Sequence, residues 1–190
     1  MSDFIKIAVT PEIVIDEEAS RLTKLLADRE VDYIHLRHPR TSARTLSRIM
    51  TEIPYKLLWR ITLHDHFTLA EDFPIGGIHL NSRNPIYPAS LNPVIERLRI
   101  SRSCHTVDEV YGCAAQNQID YKYITLSPIF NSISKEGYNS SFDLNELSGI
   151  LKNTDIDVIA LGGVEPKSFD KLKEAGFAGA AMLGYYFPPH

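Results

Sequence analysis

The residues best suited to chemistry follow short apolar runs that read as buried strands. Five of the seven histidines stand at such predicted strand ends, and these are His38, His64, His66, His79 and His105. Other polar side chains at the same ends are Arg37, Asp65, Asn81, Asn84, Ser103 and Ser127. Histidine is suited to proton transfer near neutral pH, and parallel α/β barrels carry their active sites at the carboxyl ends of the strands. We therefore expect a polar site at this end of the fold.

Arg37 closes an apolar strand, which is a costly place for a guanidinium group without an anion beside it. The residues allow two partners, a phosphate of a ligand or a carboxylate of the protein. Both remain open at this stage.

A second candidate feature lies in residues 157–184, where two apolar strands flank one helix. Gly162-Gly163 ends the first strand, and Met182-Leu183-Gly184 ends the second. Glycine-rich strand ends beside a helix start can bind phosphate through backbone N–H groups. The alternative for Gly162-Gly163 is a simple tight turn.

Two further chemistries are weaker. His64-Asp65-His66 suggests a zinc cluster, but the alternative is a polar strand end that caps the next helix. Ser103 and His105 suggest a nucleophile and its base, but no Gly-x-Ser-x-Gly turn surrounds Ser103.

Alternating strands and helices must position these residues, and this alternation favours a parallel sheet. The predicted strands are Ile5–Thr10, Tyr33–Arg37, Lys56–His64, Gly77–Leu80, Arg99–Cys104, Lys122–Ser127, Val158–Leu161 and Ala180–Leu183. The predicted helices are Asp16–Arg29, Thr41–Thr51, Phe67–Glu71, Leu91–Leu98, one behind a capping box at Thr106–Glu109, Asp143–Lys152 and one between Pro166 and Gly176. Asn131–Ser141 is predicted to be a long loop.

Eight such units fit a closed (β/α)8 TIM barrel, of the α/β class, better than an open doubly wound sheet. We expect one domain over residues 1–190, with the last helix short or missing. That shortening would leave apolar surface around Tyr185, Tyr186 and Phe187, which a second copy could cover, so a homodimer is expected.

The composition excludes several classes of function. The chain has 190 residues, 44% hydrophobic residues and a net charge of −4. It shows no basic stripe for nucleic acid, no apolar run that would span a membrane and no signal-peptide pattern. Cys104 and Cys113 match no zinc or redox spacing. We expect a cytoplasmic protein with reduced thiols.

Several motifs, taken in order, resemble the thiamine phosphate synthase/TenI family along nearly the whole chain. They are Ile34–Arg37, Leu63–Asp65, Gly77–Leu80, Ser101–Thr106, Ser127–Phe130 with Lys135, Leu161–Val164 and Gly179–Met182. The resemblance implies the (β/α)8 barrel and one of two activities in thiamine biosynthesis. A synthase, which is a transferase, joins hydroxymethylpyrimidine pyrophosphate to a thiazole phosphate with Mg²⁺. A TenI-type tautomerase, an isomerase, aromatises a thiazole phosphate carboxylate by proton transfer and needs no cofactor.

The resemblance also implies roles for individual residues. The thiazole phosphate would bind at Gly162, Gly163 and Met182–Gly184. Further substrate contacts would come from His79, Ser103, Ser132 and Ser134.

Departures from the synthase pattern favour the tautomerase at this stage. Pro39 stands where the synthases have a lysine for pyrophosphate, and Asn84 stands where they have an acidic magnesium ligand, which leaves Asp65 as the one acidic candidate. In the tautomerase interpretation, His105 moves the proton, Arg37 holds the substrate carboxylate and Lys135 assists. A third hypothesis, from a different class, is a non-catalytic regulator that binds a phosphate ligand.

Overall fold

The structure, a computed structural model, describes residues 4–116, 118–130 and 142–188. Eight strands close into a barrel in chain order, β1 to β8. Their bounds are β1 Ile5–Val9, β2 Tyr33–Leu36, β3 Ile61–Leu63, β4 Gly77–Leu80, β5 Arg99–Cys104, β6 Tyr121–Leu126, β7 Val158–Leu161 and β8 Gly179–Met182. The predicted (β/α)8 barrel is confirmed.

Five α-helices lie among the described residues. Several connections between strands contain short 3-10 helices. The α-helices are α1 Glu18–Ala27, α2 Ala43–Glu52, α3 Val107–Ala115, α4 Leu144–Leu151 and α5 Phe169–Ala175. None of these described helices is long and apolar enough to cross a membrane.

Helices α2 and α3 begin at residues whose side chains cap the helix. Ser42 accepts a hydrogen bond from the Thr45 N–H at the start of α2. Thr106 and Glu109 form the predicted capping box of α3. Such caps satisfy N–H groups that have no partner inside the helix.

The chain divides into two compact units, which are described separately. The first unit is residues 8–100, and it holds β2, β3 and β4. The second unit contains the described residues before position 8 and after position 100. The single-domain assignment over 1–190 stays a prediction.

In the first unit, the strand register fixes which side chains are neighbours. His35 is the partner of Thr62, and Leu63 is the partner of Ile78. Side chains two residues apart on a strand share a face. This register therefore places His35, His64 and His79 on adjacent strands within reach of one another.

Two predicted elements are wrong in the first unit. The third strand is only Ile61–Leu63, because Tyr55–Arg60 forms a 3-10 helix in which the Leu57 N–H bonds to the Pro54 carbonyl at 2.8 Å. The helix predicted over Leu91–Leu98 is two short 3-10 turns, Ala89–Leu91 and Ile95–Arg97. Pro93 interrupts it because proline has no N–H to donate.

The end of the second unit also differs from expectation. No helix forms in the described residues 183–188 after β8, as predicted. However, Tyr186 and Phe187 are buried, and only Tyr185 is exposed. The Phe187 N–H bonds to the Leu183 carbonyl at 2.8 Å, which turns the chain back on itself. The exposed apolar patch expected here is therefore wrong, and the homodimer stays a prediction without that support.

Candidate active site

Arg37 in the first unit has a carboxylate partner from the protein. Its Nη2 lies 2.9 Å from Glu12 Oε1, and its side chain is half-buried. The backbone N–H of Arg37 also donates to Thr10 Oγ1 at 2.8 Å. Of the two partners that the sequence left open, the structure shows the carboxylate. A guanidinium has five N–H donors, so this pair leaves capacity for a second anion.

Asp65 lies directly after β3 in a polar, nearly buried setting. Its Oδ1 accepts a hydrogen bond from Asn84 Nδ2 at 3.0 Å and lies 3.5 Å from Arg83 Nη2. Its Oδ2 is buried and has no hydrogen-bond partner among the residues that the structure describes. A buried carboxylate oxygen without a partner is unfavourable unless a cation or donor binds there.

A tight turn after β4 positions Asn84 beside Asp65. The N–H of Asn81 donates to the Asn84 carbonyl and the reverse bond also forms, both at 3.1 Å. The Asn81 and Asn84 amides both donate to the His64 carbonyl. This turn therefore connects the ends of β3 and β4 rigidly.

His79, predicted as a substrate contact, lies in a buried cluster with His35 and His64. The His64 and His79 rings stack at 4.2 Å between centroids, and His35 lies 4.9 Å from each. His64 Nε2 and His35 Nδ1 are 2.9 Å apart. All three side chains are buried.

Burial keeps these three imidazoles neutral at neutral pH. It lowers the pKa of His79 to about 3. Burial, followed by the nearby His79, also holds the pKa values of His35 and His64 well below the usual range. Positive charge on Arg99 adds to the effect on the pKa of His35, and Arg37 and Arg83 add to the effect on that of His64.

The structure does not assemble the His64-Asp65-His66 cluster. The strand ends at Leu63, and His66 takes a left-handed conformation with φ 52°. Its exposed ring contacts the Thr41 carbonyl at 2.7 Å. Because alternation stops before His66, His64 and His66 do not share a face.

In the second unit, His105 is exposed at the end of β5 and is anchored on one side of its ring. His105 Nδ1 lies 3.1 Å from the Ser127 carbonyl and 3.2 Å from Ser127 Oγ. The His105 N–H donates to the Glu109 carboxylate. This backbone contact helps to cap α3, while the His105 ring is exposed. Ser103, two residues earlier, is half-buried.

The two glycine-bearing strand ends lie side by side in the second unit. β7 pairs with β8 through Leu161 and Ala181, so Gly162-Gly163 and Met182-Leu183-Gly184 follow adjacent strands. Gly162 and Gly163 have φ 90° and 63°. A Cβ on Gly162 would lie 2.8 Å from Pro128 Cα. The tight turn is therefore present, and phosphate binding there stays a prediction.

Three predicted site residues, Ser132, Ser134 and Lys135, lie outside the described residues. The loop predicted over Asn131–Ser141 lies there as well.

Sequence reasoning missed three residues that the structure places at these sites. They are Glu12, His35 and Arg83. His35 stands inside an apolar strand, so it reads as part of the core. The sequence did contain one indication of the cluster, because His35, His64 and His79 each lie in or directly after one of three consecutive strands. Glu12 and Arg83 stand in loops, where sequence spacing alone predicts no contact.

The fold defines the class of (β/α)8 TIM-barrel proteins, and sequence comparison gives the particular family. The model of the family described as thiamine monophosphate synthase matches residues 7–185. The chain belongs to this thiamine monophosphate synthase (TMP-TENI) family.

Relatives and solved structures agree with this assignment. The thiamine-phosphate synthase of Latilactobacillus sakei is 30% identical over 121 residues, which cover 64% of this chain and 53% of the relative. That of Limosilactobacillus fermentum is 25% identical over 170 residues, covering 85% and 78%. The crystal structure of thiamine phosphate pyrophosphorylase from Bacteroides thetaiotaomicron has a TM-score of 0.79 and 36% identity, covering 95% of this chain and 83% of that one.

A similarly named protein from Pyrococcus furiosus has a TM-score of 0.74 at 16% identity, covering 95% and 86%, and this likeness shows the fold alone. The chain spans about half the length of the Latilactobacillus relative. Both relatives and the Bacteroides structure are named as synthase or pyrophosphorylase. The comparisons therefore favour the synthase alternative over the tautomerase that the sequence alone favoured.

Proposed function

We propose that this chain is a thiamine phosphate synthase, which joins hydroxymethylpyrimidine pyrophosphate to a thiazole phosphate and releases pyrophosphate. The observation that carries the proposal is the Asp65 carboxylate, whose buried Oδ2 lacks a partner among the described residues. The named relatives support the same activity.

The residues around Asp65 fit a magnesium ion. Mg²⁺ prefers oxygen ligands and is commonly held by one or two carboxylates together with substrate phosphates and waters. Asp65 supplies the carboxylate. Asn84 would bind through its carbonyl oxygen after its amide turns, which would break the bonds that Nδ2 now donates to Asp65 and to the His64 carbonyl. The bound ion would neutralise charge that develops on the leaving pyrophosphate.

Arg83 and Arg37 bring positive charge to the first unit. This chain has Pro39 there in place of the lysine of the synthase pattern. Arg83 lies 3.5 Å from Asp65, and its side chain is partly exposed. Arg37 is held in place by Glu12. We assign both guanidinium groups to binding the pyrophosphate, because arginine recognises phosphate oxygens in a two-pronged manner. In the second unit we assign Gly162-Gly163 and Met182–Gly184 to the thiazole phosphate.

The test compares Asp65→Asn with Asp72→Asn in a thiamine phosphate assay with both substrates and Mg²⁺. Asp72 is exposed and lies outside the site, so it is the matched control. Loss of one preorganised electrostatic group lowers kcat by about 100-fold or more, so Asp65→Asn should show this loss and should require more Mg²⁺. Equal activity of the two variants would refute the role of Asp65.

The tautomerase remains a second candidate because of one feature of His105. Its ring is exposed while Ser127 holds Nδ1, an arrangement that suits a general acid or base. Under this candidate, His105→Ala abolishes conversion of the thiazole phosphate carboxylate while ligand binding is retained. Unchanged conversion by His105→Ala would eliminate it.

A further inference from the structure

The three buried histidines of the first unit form a cluster that the synthase reaction does not account for. His35 lies in β2, His64 directly follows β3 and His79 lies in β4. One potential ligand nitrogen from each residue lies within 4.8 Å of the others. We propose that His35, His64 and His79 bind a first-row transition-metal ion such as Zn²⁺.

The backbone arrangement supports a real site rather than a chance contact. His35 lies in β2 and His79 in β4, while His64 directly follows β3, the strand that pairs with both. The His35–Thr62 and Leu63–Ile78 register sets the separation of these three positions. Sites built on strands hold their side chains more precisely than sites built on loops. The Asn81 and Asn84 amides also fix the His64 carbonyl.

The distances between the ring nitrogens require only small adjustments in either direction. Zn²⁺ binds histidine nitrogens at about 2.0–2.1 Å in tetrahedral geometry, which places the nitrogens about 3.3 Å apart. His64 Nε2 and His35 Nδ1 are already 2.9 Å apart. All three ligand nitrogens lie within 4.8 Å of one another, so the largest approach that a Zn²⁺ ion would require is about 1.5 Å. Three histidines leave the fourth position for a water or a ligand atom.

The chemistry of the donors selects the class of metal. Imidazole nitrogen suits zinc, copper, iron and nickel, whereas Mg²⁺ takes oxygen ligands. The positive charges of Arg37, Arg83 and Arg99 oppose a divalent ion, and the carboxylate of Asp65, next to His64 in the chain, offsets part of that opposition. The nitrogen donors therefore distinguish this site by its chemistry from the oxygen site proposed at the neighbouring Asp65.

The experiment uses untagged full-length protein that has been treated with EDTA and dialysed. Zn²⁺ is titrated calorimetrically in the presence of excess Mg²⁺, and Co²⁺ is followed by its visible absorption. We expect one Zn²⁺ per chain, the intense visible bands of tetrahedral Co²⁺ and no displacement by Mg²⁺. Absence of saturable Zn²⁺ binding would overturn the proposal.

Variants then locate the ion. Since loss of an outer partner alone costs 10–100-fold in metal affinity, loss of a direct ligand in His35→Gln or His79→Gln should cost at least about 100-fold. His66→Gln is the matched control, because His66 is exposed and outside the cluster. Cys113→Ser tests binding at the buried pair of free thiols, Cys104 and Cys113, whose sulfur atoms lie 3.8 Å apart. If either control variant loses Zn²⁺ as His35→Gln does, the proposed site is wrong.

A measurement on the wild-type protein keeps the proposal testable if the cluster variants do not fold. Nitrogen-15 NMR of the histidine side chains should show Zn²⁺ shifting three ring systems together. Binding that leaves these three unshifted would also overturn the assignment. Neither readout depends on thiamine phosphate formation, so failure here leaves the proposed function standing.

Discussion

Replacing Gly162 by alanine should destabilise the second unit strongly. Gly162 follows β7 with φ 90°, a conformation that residues with a Cβ rarely adopt. Its carbonyl accepts the Phe130 N–H at 3.0 Å, which fixes it against the segment after β6. A new Cβ would lie 2.8 Å from Pro128 Cα and 3.0 Å from Pro128 Cβ. These contacts are well inside the separation of about 3.5–4.0 Å at which carbon atoms pack best.

The magnitude follows from two terms. The left-handed conformation costs about 1–2 kcal/mol for a residue with a Cβ, and overpacking costs about 1–3 kcal/mol. The free energy of unfolding should therefore fall by about 2–5 kcal/mol. In a protein of this size, each 1 kcal/mol lowers Tm by about 2–4 °C, so the expected fall is about 10 °C.

The assay is thermal unfolding followed by circular dichroism, with Gly112→Ala as the control. Gly112 lies in α3, and an added Cβ there meets nothing within 4 Å. Alanine at that position should raise the free energy of unfolding by about 0.5–1 kcal/mol. Our reasoning is refuted if Gly162→Ala melts with the wild type, or if the two alanine variants shift Tm in the same direction.

Two further predictions concern the pH dependence of stability and the α3 cap. In metal-free protein, the neutral form of His79 is favoured in the fold, so its stabilisation is complete above pH 6.5 and is lost as the pH falls toward its pKa of about 3. The free energy of unfolding should fall by up to about 1.4 kcal/mol per pH unit because of that histidine. Urea unfolding of His79→Gln should therefore show a shallower fall of this free energy with falling pH than the wild type. An equal slope for the two proteins would contradict the assignment. Thr106→Ala should lower the free energy of unfolding by about 1 kcal/mol through loss of the cap. Thr51→Ala, on the exposed face of α2, should change it little, and equal losses would argue against the cap.

The apolar patterns predicted the barrel because each buried strand is short and bounded by turn residues. Gly77–Leu80, Arg99–Cys104 and Val158–Leu161 have the predicted bounds. The pattern failed at Tyr55–Arg60, where an apolar run without alternation forms a 3-10 helix beside Pro54. Local propensity cannot distinguish a buried strand from a short amphipathic turn of this kind.

The candidate site was predicted in part. The sequence placed Asp65 and His105 directly after strands because each follows a short apolar run. The contacts from Arg83 to Asp65 and from Glu12 to Arg37 could not, because they depend on loop conformation. The sequence motifs also did not decide between the synthase and the tautomerase. Pro39 and Asn84 show that the chain lacks a lysine and an acidic residue of the synthase pattern, but they do not show which loop residues bring charge to the site instead.

The most direct test of the central claim is turnover by the wild-type protein. Purified protein is mixed with hydroxymethylpyrimidine pyrophosphate, thiazole phosphate and Mg²⁺, and thiamine phosphate is followed by its fluorescent oxidation product. The synthase assignment predicts steady formation of thiamine phosphate with an equal amount of pyrophosphate, and loss of both when EDTA removes Mg²⁺. No thiamine phosphate from folded protein that still binds the thiazole phosphate would contradict it.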